Sequence, residues 1–454
     1  MAVTKKREPV SNDSNASTHD HDAVARLQDI VRRNRSSDAV GVYAVCSAHP
    51  EVITAAGHEA HENQSVLHIE STSSQVNQFG GYTGQRPEQF ATFVHAAARN
   101  TGLSTDRVLL GGDHLGPFPW RRESAALAMD KAHALVRACV LAGYQKIHLD
   151  ASMACGDDSK TGLDERTVAD RAAALCETAE NVSRELPPNS PPLLYVVGTE
   201  VPAPGGESHS EESISVTTAD HVHSTLDAFK RAFEKRGLGR AWERVIGLVV
   251  QPGVEFGDSN VFDYDRRKTK ALSAALPPSP LLVYEAHSTD YQLCSPLKQM
   301  VEDHFAILKV GPELTFAFRE AVFALAAIEH EMLPGKAARA SNVREALEAA
   351  MLRNPSHWRD YYHGDEDQVH ISRLYSYSDR CRYYWHEPEL KARVNQLIEN
   401  LTAYPPPLSL TRQYLPREYE AIRAGNLQVS PSQIIRHNIR TVLRKYAVAC
   451  GERS

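Results

Sequence analysis

Eight short apolar runs recur along the chain, at 39–46 (AVGVYAVC), 66–71 (VLHIES), 107–113 (RVLLGGD), 145–151 (QKIHLDA), 193–200 (LLYVVGTE), 244–251 (RVIGLVVQ), 281–287 (LLVYEAH) and 305–311 (FAILKVG). Strands buried on both faces read as continuous Val/Ile/Leu runs, and stretches rich in Ala, Leu, Glu and Arg separate most of these runs from the next. The alternation predicts an α/β fold, a (β/α)8 TIM barrel. Almost every run ends in a group able to bind a metal, move a proton or hydrogen-bond a sugar: Ser47 and His49, Glu70, Asp113 and His114, Asp150, Glu200, Gln251, Glu285 and His287, and Lys309. In such barrels the chemistry sits at the carboxyl ends of the strands, so these groups are the candidate site.

Between the runs the helical pattern is legible. A helix over 23–36 has Val24, Leu27, Ile30 and Val31 at helical spacing and is expected to cover the bottom of the barrel. Further helices are predicted at 87–101, opened by Pro87, and at 122–142. Residues 1–22 are polar and without apolar periodicity, and are expected to be a disordered tail. The barrel is expected over 23–335, and a mostly helical C-terminal unit packed on it over 336–454. In that unit, 373–385 (RLYSYSDRCRYYW) interleaves Arg373, Arg380 and Arg382 with hydroxyls and aromatics, which suits a phosphate, an interface or a helical surface against the barrel. The segment 201–217, Pro/Gly/Ser-rich and acidic, directly follows Glu200 and reads as a binding loop or lid.

Composition narrows the class. The chain has 454 residues, enough for a barrel and a smaller second unit, and its formal charge of -7 carries no basic excess of the kind nucleic acid requires. No apolar run approaches the ~20 residues needed to cross a bilayer, and the N-terminus lacks the apolar core of a signal peptide, which predicts a cytoplasmic protein without a membrane partner. The seven cysteines include no CxxC pair and are expected to be reduced thiols.

The strongest local signal is GGDHLGP at 111–117. Adjacent Asp113 and His114 at a strand end project in different directions, so that one can ligate a metal while the other faces substrate. His114, Glu200 and His287 make a nitrogen and oxygen set suited to zinc, with manganese as the alternative divalent ion. Gln251 stands where a fourth ligand or a sugar-hydroxyl partner is needed. His148 and Asp150, two apart, share one side of a strand; Asp150 is the more terminal and is expected to meet substrate, whereas His148 reads as a core histidine. Glu70 is a second candidate proton carrier. Lys309 suits a Schiff base or a cation that neutralises developing negative charge, and the metal ligands elsewhere favour the cation. Ser47, and Asn77 and Gln78 in the polar loop 71–84, are candidate partners of sugar hydroxyls, the loop reading otherwise as a simple Ω-loop. An anion is expected after the seventh and eighth runs, where Ser288, Thr289 and the backbone near Gly311 offer donors. Neither a Walker A sequence nor a Rossmann fingerprint occurs, so no nucleotide cofactor is expected.

Taken together, YAVCSAHP, QVNQFGGYTG, GGDHLGP, KIHLDAS, GTEVPAPGGE, VVQPGVEF, YEAHSTDYQ and ILKVGP resemble the tagatose-bisphosphate aldolase accessory (Z) subunit family, over roughly residues 36–450. Members of that family are described both as non-catalytic partners that stabilise a class II aldolase and as epimerases acting at C4 of D-tagatose 6-phosphate. The resemblance therefore implies either a metal-dependent epimerase, with Asp113 as base, Asp150 or Glu70 as second proton carrier and Lys309 as electrostatic partner, or a subunit bound to an aldolase; barrel enzymes also often form homo-oligomers. A more distant likeness is to the catalytic class II aldolases, which hold zinc with three histidines and use an Asp just before the first as base. Asp113, His114 and His287 match that pattern, while Gln251 stands where the second histidine is expected.

Overall fold

All eight runs form strands of a single closed barrel. A computed structural model describes residues 22–159, 162–199, 214–333 and 340–452. The barrel strands are β1 (Val42–Val45), β2 (Leu67–Thr72), β3 (Val108–Leu115), β4 (Lys146–Leu149), β5 (Leu194–Val197), β6 (Val245–Val249), β9 (Val283–Ala286) and β10 (Ile307–Val310). Every pairing among them is parallel, and β10 returns beside β1. A short antiparallel hairpin, β7 (Glu255–Phe256) and β8 (Val261–Phe262), is inserted after β6.

Helix α1 (Ala23–Arg35) closes the amino-terminal end. Its Ala23, Val24, Leu27 and Val31 join Val42, Leu109, Leu194, Ile246, Val283 and Ile307 in an apolar cluster of their own. Apolar burial thus plugs the bottom of the barrel, and the polar strand ends are left at the top.

The outer helices are α2 (Pro50–Asn63), α3 (Pro87–Asn100), α4 (Ala125–Leu141), α5 (Glu165–Ser183), α6 (Ala219–Lys235), the short α7 (Gly239–Trp242), α8 (Arg266–Ala274), α9 (Cys294–Glu302) and α10 (Pro312–Met332). The chain then runs through α11 (Val343–Arg353), α12 (Glu366–Tyr375), α13 (Pro388–Ala403), α14 (Leu408–Tyr414), α15 (Pro416–Arg423) and α16 (Pro431–Ala449). Leu347, Leu397, Ile439 and Leu443 of these later helices share one continuous apolar core with the barrel's helical layer. Helix α16 packs against α2, α9 and α10. Among the described residues, no helix is long and apolar enough to cross a membrane.

One buried ion pair ties the 376–385 segment to α10. Arg319 Nε donates to Asp379 Oδ1 at 2.9 Å, and the Thr315 hydroxyl donates to Asp379 Oδ2 at 2.7 Å, with both ionic side chains all but inaccessible. Removing one partner of such a pair strands an uncompensated charge in the interior. Arg319→Ala is accordingly expected to lower stability by about 3–5 kcal/mol in chemical denaturation, and a loss under 1 kcal/mol would show that Asp379 finds water or another partner.

Candidate active site

Successive side chains of a strand alternate between its two faces, so the polar residues of one face recur every second position. His68 and Glu70 on β2, Lys146 and His148 on β4, Glu285 and His287 at the end of β9, and Lys309 on β10 obey this rule, and all are buried. The end of β3 departs from it. The β3–β4 register shifts between Gly112 and Leu115, and His114 adopts a left-handed backbone with φ 49°. Bulges of this kind re-aim side chains beside functional sites. The glycines around them permit close approach: a Cβ on Gly111 would meet the Glu70 side chain at 2.7 Å, and one on Gly116 would lie 1.6 Å from the Asp150 carbonyl oxygen.

A charge network fills the upper barrel. Lys146 Nζ lies 2.6 Å from Glu70 Oε1 and 2.6 Å from Glu285 Oε2. Lys309 donates to Glu70 Oε2 and lies 2.8 Å from Asp113 Oδ1 and 3.5 Å from Glu285 Oε1. Burial alone would raise Asp113 and Glu70, but His114 and Lys309 hold Asp113, and Lys146 and Lys309 hold Glu70, well below the usual carboxylate range. Burial opposes the charge on Lys309 as well; Asp113, Cys46 and Glu70 outweigh it and raise the ammonium above its ordinary value.

Three imidazoles close the cluster. The ring centres of His114, His148 and His287 are 5.0, 5.1 and 5.2 Å apart pairwise. His114 Nδ1 donates to Asp150 Oδ2 at 2.8 Å, and Ser152 holds the other oxygen of that carboxylate through its amide and hydroxyl. This fixes the His114 ring and leaves Nε2 toward the cluster, 3.6 Å from Asp113 Oδ1. His148 Nδ1 lies 3.2 Å from the His114 backbone nitrogen and 3.1 Å from Asp113 Oδ1, while its Nε2 is buried without a partner. Burial pushes His287 down to about 4 despite Glu285 beside it, keeping it in the neutral form that binds metals. Asp113, His148, Glu285 and His287 each offer a ligand atom, all within 4.8 Å of one another, a buried cluster able to hold a metal. The cavity above is lined by Asp113, His114, His287, Ser288 and Lys309, with Arg382 and Tyr383 arriving from the C-terminal segment.

Residues 27–451 match the family described as D-tagatose-1,6-bisphosphate aldolase subunit GatZ/KbaZ-like. The chain belongs to this family. It is also similar to the crystal structure of a probable tagatose 6-phosphate kinase from Sinorhizobium meliloti 1021, at 41% identity over 90% of this chain and 100% of that one, with a TM-score of 0.82. A weaker likeness is to the fructose-bisphosphate aldolase of Campylobacter jejuni, at 14% identity over 84% of this chain and 93% of that one, with a TM-score of 0.41.

In this GatZ/KbaZ-like chain, the candidates read from sequence are distributed unevenly. Asp113, His114, His287, Glu70 and Lys309 converge, and Asp150 stands behind His114. Ser288, at φ 52°, lines the cavity. Gln251 does not reach the cluster: its amide oxygen accepts the Gly253 N–H at 2.8 Å, within its own loop. Asn77 serves its loop likewise, accepting the Phe79 and Gly81 N–H groups, and Gln78 donates to the Lys131 carbonyl. Ser47 accepts the His49 N–H beside a neighbouring cavity. Glu200, with most of the 201–217 loop and residues 1–21 of the tail, lies outside the described residues.

Two members of the cluster escaped the sequence reading. Lys146 is no candidate in the sequence pattern, and His148 reads there as a core histidine. The signal was present, because Lys146, His148 and Asp150 fall at every second position of one run, and a lysine inside an apolar strand has no use without buried carboxylates.

Proposed function

We propose that this protein is a divalent-metal-dependent epimerase that interconverts D-tagatose 6-phosphate and D-fructose 6-phosphate by inverting C4. The observation that carries the reading is the buried cluster in which three imidazoles stand beside Lys309 and the carboxylates of Glu70, Asp113 and Glu285. Glu70, Asp113 and Glu285 face the ammonium groups of Lys146 and Lys309 while Asp150 faces His114, so carboxylates outnumber ammonium groups and the cluster suits a cation. The histidine spacing fits as well: imidazoles bound to one tetrahedral zinc at about 2.0–2.1 Å place their ring centres roughly 5 Å apart. His148 on β4 would supply a further imidazole where Gln251 does not reach. Glu200 stays a candidate ligand beside His114 and His287, and zinc is preferred over manganese for a histidine-rich set.

A bound ion would act as a Lewis acid on the C2 carbonyl of the ketose. Position C4 is one carbon too far from that carbonyl for simple deprotonation, so the C3–C4 bond must break. Asp113, held ionised, takes the C4 hydroxyl proton as C4 leaves as an aldehyde and the bonding pair passes to C3 and the C2 oxygen. The Lys309 ammonium, 2.8 Å from Asp113, would offset the negative charge that develops on C3 and the C2 oxygen. Asp150 positions His114, and Glu70 holds Lys309. Rotation of the aldehyde before the bond re-forms presents its other face to C3, and the new C4 oxygen regains a proton from the second carrier, Asp150 or Glu70.

Purified full-length protein incubated with D-tagatose 6-phosphate and zinc or manganese is expected to form D-fructose 6-phosphate. Triose products would indicate direct aldolase action. The family description itself favours a second reading, a stabilising subunit of a class II aldolase, and absence of any product would support it. Metal analysis gives an independent check: wild type should hold one divalent ion per chain, His148→Ala should lose it, and Gln251→Ala should keep it. A wild-type protein that retains no ion after reconstitution would exclude the metal.

A further inference from the structure

Beside the catalytic cavity lies a second one of about 200 Å³, sharing with it a wall made of Cys46, Gln75, Tyr82, Gly311 and Arg382. Its other walls include His49 and Pro50 at the start of α2, and Trp385, His386 and Lys391 from the C-terminal segment. Among its described lining residues there is no carboxylate. Donors gather there instead. Trp385 is only 4% exposed and its indole nitrogen, which can only donate, has no partner; one ring nitrogen each of His49 and His386 is likewise buried and unpartnered. Helix α2, 14 residues long, begins at this cavity without a side-chain cap, so its partly positive end opens on it. Arg382 and Lys391 add full positive charges.

Of the donors expected from sequence to hold an anion, Thr289 and the backbone near Gly311 are engaged elsewhere. The Gly311 and Glu313 N–H groups both donate to Asp290 Oδ1, at 2.9 and 2.8 Å, and the Thr289 hydroxyl donates to the Lys309 carbonyl at 2.6 Å. An anion at that helix end would meet the Asp290 carboxyl group. The α2 end has no such competitor.

We infer that the second cavity is a phosphate subsite, holding the phosphate of a ketose phosphate whose carbon chain passes Gln75 and Gly311 to reach Asp113 and Lys309. The inference rests on the epimerase reading for the molecule that carries the phosphate, while the site itself rests on the donors named.

Calorimetric titration of the full-length protein with inorganic phosphate tests it. Trp385→Phe keeps an aromatic ring and removes the donor. Lys391→Met changes an exposed residue of α13 and should leave the melting temperature unchanged. Each is expected to weaken phosphate binding about tenfold or more, the range for a hydrogen bond to a charged group, whereas Ser288→Ala should not. Wild-type protein that does not bind phosphate, variants that bind it as wild type does, or a Ser288→Ala variant that loses it would each overturn the inference. Phosphate binding lost in both variants, with no epimerisation by wild type, would uphold the subsite and remove the epimerase. Epimerisation with unchanged KM in both variants would do the reverse.

Discussion

Lys309→Met is expected to abolish turnover of D-tagatose 6-phosphate and to lower stability toward the upper end of the roughly 3–5 kcal/mol typical of a broken buried ion pair. Lys309 contacts three buried carboxylates, Glu70, Asp113 and Glu285, and methionine fills the space without the charge. The sign of the pH dependence follows. In wild type, Glu70 and Asp113 are held below the usual range, so they contribute stability that is present above the unfolded carboxylate pKa of ~4 and lost as pH falls through their lower folded values. In the variant their folded pKa values rise, and ionisation then destabilises as pH increases. The stability gap between the two proteins should therefore be largest near neutrality and should narrow toward pH 4. A gap that is flat with pH would mean that Lys309 acts through packing alone.

Asp113→Asn keeps the size of the side chain and removes its basicity, so turnover should fall by ~100-fold or more, the range for a lost general base. Because Asp113 also lies among the atoms able to hold a metal, the variant's metal content must be measured beside its rate: loss of activity with the ion retained assigns the effect to proton transfer. The route makes a sharper demand. Cleavage of C3–C4 leaves the hydrogen on C4 in place, so the reaction in heavy water should give an epimer without solvent deuterium at C4. Deuterium found there would eliminate the retro-aldol route even if the epimerase assignment survived.

The eight strands, the α1 plug and the mouth of the barrel were legible in the sequence for one physical reason. A strand buried on both faces must be apolar throughout, so polar groups at its end stand out. The alternation that sorts the polar groups within a strand was also written there, in Lys146, His148 and Asp150, though a run of four or five residues does not say which face looks inward.

Tertiary structure alone decided the remainder. Gln251 and Asn77 occupy promising positions, yet their amides satisfy nearby backbone N–H groups, a choice set by loop conformation rather than residue type. The bulge at Gly112–Leu115 turns His114 toward His148 and His287, which lie 34 and 173 positions further along the chain. The donor wall of the second cavity is drawn from Arg382, Trp385 and Lys391, more than 300 residues from His49. The sequence by itself determined which groups were available, because burial restricts composition strand by strand. Which of them meet depends on register, on a bulge and on the packing of the C-terminal helices, contacts between distant residues that no local pattern encodes.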